Sequence, residues 1–426
     1  MLLGVLVFTI GSVLASSATN SSVLLVALAI MGATSALLTV TVLGEMARAF
    51  SVGTERAQAF ALFSVIASAG IAVPFLLGSA FVEWSSWRLI FIVAAVLGVL
   101  ALGSVRVSVV GKGVIAGTGR VDPLRVIALG GGLLFLNFGL LRAMTTKWPL
   151  FTGIAWPRGT VNTWANYVTW SSLVLGAALI STCALIEHRR ATATRLLRLL
   201  GSRTRLGAFV TLALTSAALF PLFLPLANFI EADLRTSPLR TGIYFLPLVI
   251  ATALSATFAS ARLLPENGPR PLIPTGMILS TMGMVLLTRI TDLPNYWGHI
   301  FGGLLLVGLG LGLIVPGAIK STFADVSPSE SMDVAALVGI VLWISGALSA
   351  AFLTTVIAHV SAEPFYSTSK QGYALRHFNY VHGFSVAFWI SAVLFGVGAI
   401  FSFIIFRTPS QRGEMSGAST QISGQG

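Results

Sequence analysis

Apolar runs of about 18 to 25 residues recur along this chain, and no other feature of the sequence narrows its fold so far. A helix of that length, rising about 1.5 Å per residue, crosses the hydrocarbon core of a bilayer. The runs lie near 2–18, 22–43, 58–82, 88–106, 124–143, 165–187, 206–229, 240–262, 272–289, 297–320, 333–359 and 382–406. In lipid every backbone N–H and C=O must find its partner within the protein, which leaves helices and closed barrels. A barrel strand alternates apolar and polar residues over about ten positions, and these runs do not. The expectation is an all-α membrane protein, a polytopic bundle of about twelve transmembrane helices.

Composition agrees with this class. The chain is 55% hydrophobic and 9% charged, whereas a soluble domain carries roughly 25% charged residues. Its net charge is +12. A balance that basic is one mark of nucleic-acid binding, but here the bases sit in short segments between apolar runs. Sorting of Lys and Arg to the cytoplasmic side accounts for them. Twelve crossings put both termini on one face. With the N-terminus inside, 17 of the 26 Lys and Arg residues fall inside, among them Arg48, Arg56, Lys112, Lys320 and Arg407. The expected location is the plasma membrane, multi-pass, with both termini cytoplasmic.

The densest basic stretch is 188–205, HRRATATRLLRLLGSRTR, with six arginines and no acid. Between two spans it reads as a cytoplasmic linker helix lying on anionic lipid headgroups, in preference to a nucleic-acid patch. The single cysteine, Cys183, excludes an internal disulfide and a cysteine-cluster metal site. Residues 1–18 lack the basic leader of a signal peptide and read as a span. The polar, Gly/Ser-rich segment 407–426 reads as a disordered cytoplasmic tail.

In the third run Gly70, Pro74 and Gly78 are spaced four apart and share one helix face. Small residues there let a neighbouring backbone come close, and Pro74 frees a carbonyl and bends the helix. Plain helix packing explains such a stripe as well as any function does. The Trp84–Trp87–Arg88 group follows at an outer interface, where Trp belongs.

The Gly/Pro/Gly helix and the Trp87–Arg88 start of the next resemble the major facilitator superfamily, in its fourteen-helix drug/proton antiporter branch. Glu55–Phe60 resembles that branch's loop before helix five. Phe229-Ile230-Glu231, Ser237-Pro238, Thr241-Gly242 and Leu246-Pro247 resemble its seventh-to-eighth helix signature. Arg262, Gly268, Pro269 and Arg270 resemble its short cytoplasmic loop motif. Gly308, Gly310, Gly312 and Pro316 resemble its tenth helix. The resemblance implies two bundles enclosing a cleft that opens to alternate sides. It also implies a domain order of 1–106 as an N-terminal half with four spans, 107–205 as two central spans with basic linkers, and 206–406 as a six-helix half. Four spans stand where the branch has six, so the chain resembles the family without its first two helices. It departs from the pattern elsewhere: Leu28 stands where an arginine is usual, Val73 where a glycine precedes the proline, and Leu342 and Trp343 where another arginine is common. These departures favour the transporter fold over proton-coupled drug export.

No phosphate-binding loop is present, and Gly308–Gly312 does not complete a dinucleotide fingerprint. His377 and His382 flank one outer loop without a carboxylate or cysteine in sequence reach. No enzymatic activity, cofactor or metal is expected. Acids within a membrane are costly and usually functional, yet none falls at the middle of a run. Glu45, Glu187 and Asp333 read as helix-end groups. Glu231 stands at the outer end of a span expected to line the cleft, at a position that is usually glutamine in the branch. It reads either as a partly desolvated proton-exchanging or cation-attracting group, or as a wet charge paired with Arg235. Asn228, Phe229, Tyr244, Asn137 and Trp343 complete the candidate solute or coupling set. The expected partners are a small-molecule solute, membrane lipid and, in one reading, protons, with no nucleic acid. The expected function is secondary active transport, with export of a small organic or amphipathic solute. The alternative is a transporter-like membrane protein without transport activity that binds a partner or lipid. A metal-dependent membrane transferase lacks its paired aspartates.

Overall fold

The computed structural model describes residues 2–50, 76–109, 163–188, 201–290, 295–324, 326–327, 330–361 and 370–406, with isolated positions at 59, 62, 63, 66 and between 131 and 142. All regular structure among the described residues is helical. The helices are α1 (Leu2–Ser16), α2 (Ser21–Ala49), α3 (Arg88–Val109), α4 (Thr163–His188), α5 (Arg203–Asp233), α6 (Pro238–Tyr244), α7 (Leu246–Phe258), α8 (Leu264–Asn267), α9 (Pro269–Leu287), α10 (Phe301–Thr322), α11 (Ser331–Ser361) and α12 (Lys370–Ile405). Among the described residues, six helical stretches are long and apolar enough to cross a membrane. They are Ser21–Met46, Pro238–Asn267, Pro269–Leu287, Tyr296–Thr322, Asp333–Thr354 and Val381–Ile405. Leu2–Ser16, Arg88–Ser104 and Tyr167–Thr182 are shorter apolar helices, and α5 adds 31 residues.

Local chemistry sets several of the breaks. Asn20 caps α2 by accepting the Val23 N–H at 2.9 Å, which satisfies one of the first-turn donors. The run read as one span over 240–262 is jointed. Phe245 separates α6 from α7, and a π-helical turn at Ala259–Leu263 joins α7 to α8. Pro265 follows that turn, and the wider π turn makes room for a ring that would strike the carbonyl four residues back. Gly268 then takes φ +70°, where a side chain is strained, and Pro269 opens α9 at a position that needs no N–H. The last helix starts at Lys370, about a dozen residues before its apolar run. Hydropathy marks only the part inside hydrocarbon, so His377 and His382 sit on α12 itself rather than flanking a loop.

Two groups of helices emerge from the packing. In one, α1 packs on both α2 and α3; in the other, α9 packs on both α10 and α12. The second group also holds α5, which packs on α10, α11 and α12, and α7, which packs on α10. Glycines let α10 be gripped from opposite sides. A Cβ on Gly312 would lie 2.6 Å from the Thr252 carbonyl oxygen of α7, and one on Gly303 2.6 Å from Leu287 of α9. Its apolar stretch is accordingly 61% buried, against 11% for that of α2. Serine and threonine hydroxyls stitch this group together. Ser255 donates to the Leu309 carbonyl at 2.7 Å, Ser216 to Leu342 at 2.7 Å, and Ser385 to Thr288 at 3.0 Å, while Ser349 donates to Ala217. In a membrane such bonds and close backbone contact replace the hydrophobic drive that water would supply. Away from both groups, α4 meets the helical residues 131–142 through Gly176, whose Cβ would lie 2.8 Å from the Gly132 carbonyl.

Candidate functional site

The two groups meet at two seams, one at each end of the helices. At the end assigned to the outside by charge, Glu83 lies on the helical residues 76–84, which join the first group where Gly78 meets Ile90 of α3, and it faces the start of α6. Ser237 is the N-cap of α6, Pro238 carries no N–H, and Leu239 donates to Glu83 Oε2 at 2.8 Å. The Ser237 hydroxyl donates to the same carboxylate and accepts from the Arg240 N–H at 3.5 Å. The first-turn donors of α6 are therefore satisfied partly from the other helix group. Hydrogen bonding from Ser237, then from Leu239, with the nearby charge of Arg240, holds the Glu83 carboxyl below the usual carboxylate range. Beside this contact the backbones come close. A Cβ on Gly242 would clash with the Ser79 hydroxyl and lie 3.6 Å from Leu76 Cα.

At the opposite end the seam is apolar. Leu43 of α2 is buried with Phe209 and Leu212 of α5 and Val334, Ala335 and Val338 of α11, and Val40, Met46 and Phe63 pack against them. Arg205, buried at the start of α5, donates to the Ala324 carbonyl at 3.0 Å, and Lys320 donates to Leu264 at 3.1 Å. One seam is thus polar and wet, and the other is a dry contact between side chains.

Aromatic side chains gather behind the polar seam. Tyr244 stacks on Tyr296 with centroids 4.1 Å apart, and the Tyr296 hydroxyl donates to the Tyr244 carbonyl at 2.8 Å. Phe223 stacks on Phe245 at 6.3 Å. At the first group's outer end, Arg88 lies over the Trp87 ring at 4.5 Å and donates to the Ala18 carbonyl at 3.0 Å.

The structure distributes the sequence-derived candidates unevenly. Glu231 and Asn228 are exposed at the end of α5. Phe229 is 0% exposed, in edge contact with Phe384 in the interior of the second group rather than on a cleft wall. Tyr244 is half-buried beside the polar seam, and Trp343 is 61% exposed on α11. Asn137, Gly70 and Pro74 lie outside the described residues. Gly78 does not bring another backbone close, since its Cβ would stand 3.5 Å from the Ile90 side chain, an ordinary contact. Arg262 and Arg270 are exposed on either side of the Gly268 turn. Sequence reasoning passed over Glu83 altogether. Its signal was faint: an acid just beyond an apolar run, and a Ser-Pro helix start 154 residues later.

No family model matches the chain. It is 28% identical to a puromycin resistance protein of Streptomyces alboniger, covering 98% of this chain and 80% of that protein. It is 24% identical to an uncharacterized MFS-type transporter of Mycobacterium tuberculosis, over 96% of this chain and 74% of that one. A cephamycin export protein of Amycolatopsis lactamdurans is 24% identical over 83% of this chain and 70% of its own length. In three dimensions the chain is similar to the human organic anion transporter MFSD10, with a TM-score of 0.56 and 15% identity, over 94% of this chain and 76% of that structure. The fold is an all-α, multi-pass membrane bundle of the major-facilitator kind.

Proposed function

We propose that this chain moves small organic solutes outward across the membrane as a secondary transporter. The observation that carries this reading is the junction of two helix groups through two chemically distinct seams, one at each end. A cleft between such groups can be opened at one end while the other stays shut. The relatives support the direction and the cargo, being named for antibiotic resistance and antibiotic export across most of the chain's length. Transport rather than catalysis fits the chain as a whole.

Finer features belong to the same proposal. The motifs at Glu55–Phe60, Phe229–Pro247 and Gly308–Pro316 support a reading within the fourteen-helix branch, with residues 107–205 as its two central spans. The four spans before them correspond to the last four of the six-helix half, a reading supported by the matching contacts of α1 and α9. Both termini and the basic linker face the cytoplasm of a plasma membrane, and the linker arginines rest on anionic lipid. Tyr244 and Trp343 contact the solute, while Glu231 and Asn228 act at the outer mouth and not within the membrane. Proton exchange for solute is the coupling that the resemblance suggests.

The test is reconstitution into liposomes with an imposed proton gradient. Puromycin, a cephamycin and a non-antibiotic organic anion serve as probes. Accumulation of at least one, collapsing with a protonophore, is the expected result. Absence of movement for all three, in protein shown to be folded, favours the transport-inactive alternative.

A further inference from the structure

We propose that Glu83 is the latch of the outer gate: its ionised carboxylate, by bonding the first turn of α6, holds the outer ends of the two helix groups together. The inference rests on the transport reading for its meaning but not for its test. Glu83 is a positioning residue, since it acts on a helix and touches no solute.

Three observations converge. The bond between Glu83 and Leu239 joins positions 156 residues apart and links the two helix groups. It falls on a helix start whose other first-turn donors are either absent, at Pro238, or taken by Ser237. Beside it Gly242, lacking a Cβ, comes close to Ser79 and Leu76, so the backbones already meet where the latch forms. Opening the outer end separates Glu83 from Leu239 and Ser237, and water replaces them at both partners. The contact is exposed, so it closes reversibly, as a gate must.

The one charge shown to act on Glu83 favours its ionised, latched state. Arg240 on α6 is the nearby cation and attracts the carboxylate. Arg88, at the start of α3, is committed to Ala18 and the Trp87 ring. Because the latched carboxyl titrates below its free value, the latch is fully formed above the ordinary carboxylate range and is lost as pH falls through the lowered one. The carboxylate therefore stays ionised across the physiological range, and protonation of Glu83 is not what opens the outer end there.

The experiment measures the gap directly, with no solute. Nitroxide labels at Ser85 and Ala232, on the two sides of the outer seam, report the distance distribution by pulsed electron spin resonance in a Cys183→Ser background. At pH 7 the wild type populates mainly the short distance. Glu83→Ala shifts the population several-fold toward longer distances. Stepwise acidification of the wild type reproduces that shift without a mutation, at a pH below the ordinary glutamate value of about 4.3. Glu83→Ala then shows no further response. A pH 7 distribution in Glu83→Ala equal to wild type, or an equal acid response in both, overturns the proposal. If the shifts occur but the reconstituted protein moves no solute, the latch stands and the transport reading falls.

Discussion

Glu83 and Glu231 are both exposed carboxylates at the outer end of the molecule, and their surroundings assign them different work. Glu83 is bonded to another helix group; Glu231 is exposed at the end of α5. An exposed charge acts on a solute by attraction over a distance comparable to the Debye length, and salt removes that attraction. Glu231→Gln should therefore raise KM for a cationic solute about two- to fivefold at low ionic strength, with the difference vanishing near 1 M salt. Initial rates of uptake into liposomes at two salt concentrations check this, and a salt-independent loss would place Glu231 inside the pathway instead. Glu231 stands out in the sequence because it lies beside a recognised helix signature. The burial of a helix-end residue depends on how helices pack across the bundle, which no local pattern contains. Phe229 shows the same limit, being an aromatic near the expected cleft that turns out to be fully buried packing.

At the scale of elements, the apolar runs located the helices well and described their insides poorly. Hydropathy averages over side chains, so the joint at Phe245 and the π turn before Pro265 were invisible to it. The start of α12 at Lys370, ahead of its apolar run, was invisible for the same reason. Glycine spacing was informative but incomplete. Gly308 and Gly312, four residues apart, share one face of α10, whereas two residues turn an α-helix through about 200°, so Gly310 points away from them. Gly308 and Gly312 admit α7, whereas Gly310 admits Gly276 and Ser280 of α9. A side chain at Gly312 forces those backbones apart, and Gly312→Leu should destabilise the protein by about 1–3 kcal/mol or more. Gly78→Ala, with room against Ile90, should stay within about 0.5 kcal/mol of wild type. Thermal unfolding of both variants in detergent checks the pair, and equal stabilities would mean that α7 and α10 yield without cost.

Over the whole molecule, alternation of crossings and the sorting of Lys and Arg gave an orientation that can be probed from either side. A cysteine at Arg195, in a Cys183→Ser background, should resist an impermeant thiol reagent in intact cells and react once the membrane is opened. One at Ala232 should react in both. Labelling at position 195 in intact cells would invert the assignment of inner and outer ends. The dry seam formed by Leu43, Phe209, Leu212 and Val338 has a thermal consequence. Parting it wets apolar surface, so the step carries a positive heat-capacity change, whereas parting the Glu83 seam wets mostly polar groups. Apolar adhesion weakens on cooling. The cold molecule should therefore drift toward the form open at the Leu43 end, and an Arrhenius plot of its turnover should bend rather than run straight.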